Sequence, residues 1–172
     1  MTLKEFPLRY DNHFVGMEYY WLILNRTFLI ILTKEFLIGI QGNGAIAVVG
    51  SNDFLTGLNY TEPVINKRIV RGDLSNPYSY LKAEYIKNIE DTDLLGDGFL
   101  SNNKVNFRIA KTDIKSVYYD SKKKRGMGYY PHDGKVYIET YNKIKKELII
   151  LGNQSGQDIV KWISYKSTNN PN

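Results

Sequence analysis

Four consecutive cations, Lys122-Lys123-Lys124-Arg125, stand between two tyrosine pairs, Tyr118-Tyr119 and Tyr129-Tyr130, with Gly126 and Gly128 inside the segment. Adjacent like charges repel, so an anion that neutralises them gains free energy that scattered surface charges do not offer. Three anions suit the pattern. An anionic membrane surface contributes about 1 kcal/mol per nearby cation, and Met127, Tyr129 and Tyr130 could enter its interfacial zone. Nucleic acid could set its phosphates on the cations and stack bases on the tyrosines, and it ranks below the other two. An acidic protein patch is the third. The candidate anion-binding set is therefore Lys122, Lys123, Lys124, Arg125, Tyr129 and Tyr130, to be weighed against a plain solvated hairpin tip that resists edge aggregation.

Little else in the chain has the makings of a reaction centre. With no cysteine and only His13 and His132, thiolate sites, three-histidine metal sites and an H-E-x-x-H helix are excluded. No cofactor is expected. Gly128 to Lys135 has five residues between its glycines where a phosphate loop has four, and it lacks the Ser or Thr after Lys. Asp91 to Asn102 begins like a calcium loop, yet it carries Leu95 and Asn102 where oxygen ligands are required. His132-Asp133 with Ser121 or Ser116 could be read as base and nucleophile, but adjacent residues on an extended loop point apart. A non-enzyme is expected.

The elements that must carry the cationic run follow from pattern. The chain has 172 residues, is 42% hydrophobic, and holds 14 Tyr, 7 Phe and 2 Trp, a composition for one folded domain over 1–172. Its net charge is 23 − 18 = +5. Residues 104–125 hold eight Lys or Arg and two Asp, net +6, which leaves −1 for the rest. β-Branched and aromatic residues over Tyr20 to Leu24, Thr27 to Leu32 and Phe36 to Ile40 predict strands, with Thr33-Lys34-Glu35 as a tight turn. Charges interrupting 19–40 argue against a membrane span. Gln41-Gly42-Asn43-Gly44 predicts a second turn and Ala45 to Val49 a returning strand.

An elaborated insertion over about 51–98 reads as loop followed by a helix from Pro77 to Glu90, capped by Asn76 or Ser75. Strands are then predicted at Val105 to Ile109, Ile114 to Tyr118, Lys135 to Tyr141 and Glu147 to Leu151. Ser155 to Asp158 has capping-box spacing, and Ile159, Trp162 and Ile163 share the face of a closing amphipathic helix. The polar tail over 167–172 is expected to stay unfolded. Without a signal-peptide pattern the expected location is cytoplasmic, peripheral to a membrane under the lipid alternative.

FLIILTKEFLIGI at 28–40, RIAKTDIKSVYYD at 108–120 and GKVYIETYNKIKKELIILGNQSGQDIVKWI at 134–163 together resemble the bacterial pleckstrin-homology-like (PH-like) domain family. The resemblance implies a mainly-β barrel of two near-orthogonal antiparallel sheets with the C-terminal helix plugging one end. The helix near 77–90 is then either an elaboration or the mark of another topology. In the eukaryotic PH domains that bind phosphoinositides, the lipid-binding cations usually lie in the first strand–strand loop, and neither Asn25-Arg26 nor Thr33-Lys34-Glu35 forms a basic cluster in the sequence. The expected function is a binding or assembly module recognising a protein or small ligand, self-association included; the alternatives are anionic membrane lipid or nucleic-acid phosphate at residues 122–125.

Overall fold

A computed structural model of the chain describes residues 1–21, 24–46, 70, 72–124 and 130–165. Seven strands form its frame: β1 His13–Trp21, β2 Leu24–Leu32, β3 Phe36–Ile46, β4 Phe107–Ala110, β5 Ile114–Asp120, β6 His132–Thr140 and β7 Lys145–Leu151. They make one antiparallel sheet in the order β4-β3-β2-β1-β7-β6-β5, which curls into a half-barrel. A four-strand meander and a three-strand meander are thus joined through β1 and β7, where Gly16 pairs with Ile150 and Met17 with Ile149. Three short helices complete the described chain: α1 Ala83–Lys87, α2 Asp97–Asn102 and the C-terminal α3 Gly156–Ser164.

Because side chains alternate across a strand, the two core clusters identify the two faces of the sheet. The inner face gathers Phe14, Phe28, Ile30, Leu37, Phe107, Val136, Ile138, Leu148 and Ile150, closed by Ile159 and Ile163 of α3. The outer face gathers Val15, Met17, Leu29, Ile31, Ile38, Ile40, Ile149 and Leu151, covered by Leu3, Tyr80, Leu94 and Phe99. The 72–103 segment therefore lies over the outside of the sheet. Strands buried on both faces read as unbroken apolar runs, which is why FLIIL and ELIIL lack alternation. β5 keeps its alternation, since Ser116 and Tyr118 face outward beyond this cover, Tyr118 being 53% exposed.

Helix α3 is fastened where its sequence signals indicated. Ser155 Oγ accepts the Asp158 N–H at 3.2 Å, and Asp133 on β6 accepts both the Gly156 N–H and the Tyr119 hydroxyl at 2.8 Å. Gly156 is required by this contact, because a Cβ there would stand 2.4 Å from the Tyr119 ring. Burial, together with the bond to Asp133, pushes the Tyr119 phenol up to about 12.

Several expectations change. Gln41 to Gly44 makes no turn: β3 runs through it, and the pairings Phe28↔Gln41, Thr27↔Asn43 and Arg26↔Ala45 show Gly42 and Gly44 as successive bulge residues. They admit close packing, since a Cβ on Gly42 would meet Leu81 at 2.3 Å and one on Gly44 the Tyr85 hydroxyl at 2.9 Å. The helix expected over 77–90 is broken. Asn76 caps it as expected, accepting the Tyr78 N–H at 3.0 Å, but Pro77–Tyr80 is a single 3-10 turn. Leu81 and Lys82 are extended, and the Lys82 N–H bonds to Gly42 O at 2.8 Å. Docking Tyr80 and Leu81 on the sheet outweighs helix continuation. The strand expected over Tyr20 to Leu24 is instead divided, since β1 starts at His13 and ends at Trp21 while β2 begins at Leu24, and β4 begins at Phe107 instead of Val105. The returning strand beyond Ile46, the loop over 47–69 and the tail over 167–172 lie outside the described residues.

Two separate cores predict additive damage. Tyr80→Ala on the outer face should cost about 3–5 kcal/mol and Ile159→Ala on the inner face about 2–5 kcal/mol. With the sheet between them, the double variant should equal their sum within about 0.5 kcal/mol in urea unfolding; a strong departure would mean the faces share one core.

Candidate functional site

The cationic run is not a free cluster. Lys122 and Lys123 are exposed, and the Lys122 N–H is turned back onto Asp120 Oδ1 at 2.9 Å. Lys124 lies down against the sheet, its ammonium 2.6 Å from Glu147 and 5.2 Å from the Tyr19 ring centroid. Its N–H donates to Nε2 of His132 at 3.0 Å, while Nδ1 of that buried ring donates to Tyr130 O at 2.9 Å. Tyr130 is 4% exposed and packs edge-on against Tyr80, with ring centroids 5.6 Å apart. Its ring has no face open for a base or a lipid. Arg125 and Tyr129 lie outside the described residues.

The wider basic stretch also disperses. Arg108 donates to Leu94 O at 3.0 Å beneath the outer cover, and Lys115 stands 4.0 Å from Glu139. Both histidines are occupied: His132 as above, and His13 by Arg9 O at 2.6 Å through Nδ1 and by the Tyr78 hydroxyl through Nε2. Asp133 anchors α3 and does not orient His132. Among the described residues no group of three His, Asp or Glu side chains is placed to hold a metal, and no helix is long and apolar enough to cross a membrane.

One further member of the stretch, Lys111, lies in a different and concave setting. The β4–β5 connection is a 3-10 turn, Lys111–Asp113, and the Lys111 N–H donates to Glu35 O at 2.7 Å, tying it to the β2–β3 turn. That turn is locked by Thr33, whose Oγ1 accepts the N–H of Glu35 at 3.2 Å and of Phe36 at 2.8 Å. The Pro7–Asn12 loop joins them. Asn12, 6% exposed, accepts the Arg9 N–H at 2.8 Å and donates to Pro7 O at 2.9 Å, while its own carbonyl takes the Leu32 N–H at 2.7 Å.

With the last turn of α3, these three segments enclose a cleft of about 450 Å³. Arg9, Lys34, Lys111 and Lys161 bring four cations to it, Tyr10, Trp162 and Tyr165 three aromatic rings. Two of the cations are internally matched: Arg9 Nε is 3.5 Å from Asp11, and Lys161 is 2.8 Å from Asp158. Among the described residues, no carboxylate lies within 4 Å of the Lys34 or Lys111 ammonium. Lys111 is only partly exposed, and burial lowers its pKa, as it must for a cation drawn from water with no counter-charge. An anion in the cleft would supply that counter-charge.

Arg9, Lys34 and Lys161 do not stand out in the sequence, because each is a single cation in its own segment, and Lys111 is one cation within the longer basic stretch. The available signal was the pairing Phe36↔Ala110, which sets the turns carrying Lys34 and Lys111 side by side once β3 and β4 are matched.

His13 ties the Arg9 loop to Tyr78 of the outer cover, and burial depresses its pKa below 6.5. The unfolded chain then takes up its proton first, so stability should be full above about pH 6.5 and should fall as pH drops through the depressed folded value. Urea midpoints between pH 7 and 5 should decline more steeply for the parent chain than for His13→Gln; parallel declines would remove His13 from the account.

Comparison with protein-family models, curated proteins and solved structures finds no match, which leaves the cleft's own geometry as the basis for a function.

Proposed function

We propose that this chain is a non-enzymatic recognition module built on a PH-like barrel, and that its ligand is an anion seated in the cleft between α3, the β2–β3 turn and the β4–β5 turn. Two observations support the barrel: the paired meanders joined through β1 and β7, and a closing helix whose apolar side fills the curl of the sheet. The ligand class rests on one observation: in a cleft with four cations, Asp11 and Asp158 match Arg9 and Lys161, and the partly buried Lys111 and its neighbour Lys34 are left without a carboxylate within 4 Å among the described residues. A desolvated cation is costly alone and favourable when paired.

The hairpin tip is the weaker anion site. Lys124 is already paired with Glu147, and Tyr130 belongs to the core. Lys122 and Lys123 then offer about 1 kcal/mol each to an anionic surface.

Tripolyphosphate titrated calorimetrically should separate the two locations. Lys34→Ala with Lys111→Ala should weaken binding at least tenfold, about 1.4 kcal/mol, while Lys122→Ala with Lys123→Ala should change it less than twofold. The reverse ranking would move the site to the tip, and no binding by the parent chain would end the anion reading.

A further inference from the structure

The cleft holds more than a charge site needs. Its volume of about 450 Å³ falls in the range of about 300–1,000 Å³ typical of small-molecule sites and is several times what a bare phosphate fills. Its two unmatched cations and its rings come from different elements. Lys34 and Lys111 sit on the two β-turns, whereas Trp162 and Tyr165 come from the last turn of α3 and Tyr10 from the N-terminal loop. Trp162 is held by partial packing against the inner core, while Tyr165 and Tyr10 are 70% and 84% exposed.

Rings left in water at the mouth of a cationic cleft do nothing for the core. Tyr165 and Tyr10 contribute no buried area to it, yet they flank a half-enclosed space beside a fixed indole. Aromatic faces of this kind stack on planar ligands with little regard to the identity of the ring. A ligand that used the cations alone would leave the aromatic wall unoccupied, and one that used the wall alone would leave Lys111 without a counter-charge.

Resting on the anion reading above, we propose that the cleft takes a small organic phosphate with a flat ring, a nucleotide in chemical class, its phosphates on Lys34 and Lys111 and its ring against Trp162 and Tyr165. Arg9 and Lys161, already matched by Asp11 and Asp158, flank the phosphates as secondary contacts. No bond is made or broken.

ADP and inorganic pyrophosphate carry the same phosphate pair with and without the ring, so their calorimetric affinities in metal-free buffer isolate its contribution. The proposal expects ADP to bind at least tenfold more tightly than pyrophosphate. Tyr165→Ala, a change at a largely exposed ring that should leave folding intact, should weaken ADP at least threefold and pyrophosphate not at all. Trp162→Leu should bring ADP to the affinity of pyrophosphate, and Trp162→Phe should restore part of the difference. Lys111→Met should weaken both. Equal affinities, or an insensitive ADP in the ring variants, would overturn the ring inference while leaving the anion site standing. Binding of neither probe, with tight binding to vesicles containing anionic lipid, would replace the nucleotide by a membrane headgroup; binding of none of them would remove the anion reading itself.

Discussion

Four strands of this sheet, β1, β2, β3 and β7, are apolar on both faces, and the rest of the structure follows from the need to cover them twice. A sheet with one dry face can stand in water, but one with two must be roofed on each side. α3 covers the inner face with Ile159 and Ile163. The 72–103 segment covers the outer one with Tyr80, Leu94 and Phe99, helped by Leu3 from the N-terminal end. With both faces largely taken, solvent-accessible polar surface lies mainly at turns, strand ends and the uncovered half around β5 and β6. A binding site at the rim, between turns and the end of a helix, is what such an architecture leaves open.

The same constraint explains what could and could not be read from the residues. Local signals survived: the Thr33 turn, the Ser155 cap of α3 and the Asn76 cap before Pro77 are each made by side chains within a few residues of the backbone they bind. Signals depending on distant partners misled. Asn43-Gly44 looks like a hairpin, but its glycines are bulges that let Leu81 and Tyr85 approach β3, a contact more than thirty residues away in the chain. The 77–90 pattern has helical spacing, and it breaks at Leu81 because backbone bonding to Gly42 competes with the next helical turn. No strand is expected over His13 to Tyr19 because Gly16 and the polar Glu18 interrupt a strand that its neighbours nevertheless define.

Charge behaves likewise. A run of cations in sequence suggests a patch, but the fold separates it: Arg108 goes under the cover, Lys111 into the cleft, Lys124 onto Glu147. Conversely, Arg9, Lys34, Lys111 and Lys161 are spread over more than 150 residues and meet at one rim. Even the interior uses this economy, since Lys146 reaches over Phe107, 4.2 Å from its ring centroid, while paired with Glu18 at 2.6 Å. Proximity in the chain told less than the register of β3 on β4, and that register is set by apolar pairing.

We propose that recognition belongs to the assembled rim cleft and not to the contiguous hairpin tip. Backbone amide shifts of the isotopically labelled chain, followed while pyrophosphate is added, distinguish the two locations. The largest changes are expected at Arg9 to Asn12, Thr33, Lys34, Lys111 and Lys161 to Tyr165, with Ser121 to Lys124 almost unmoved. Changes concentrated at Ser121 to Lys124, with the cleft silent, would contradict it.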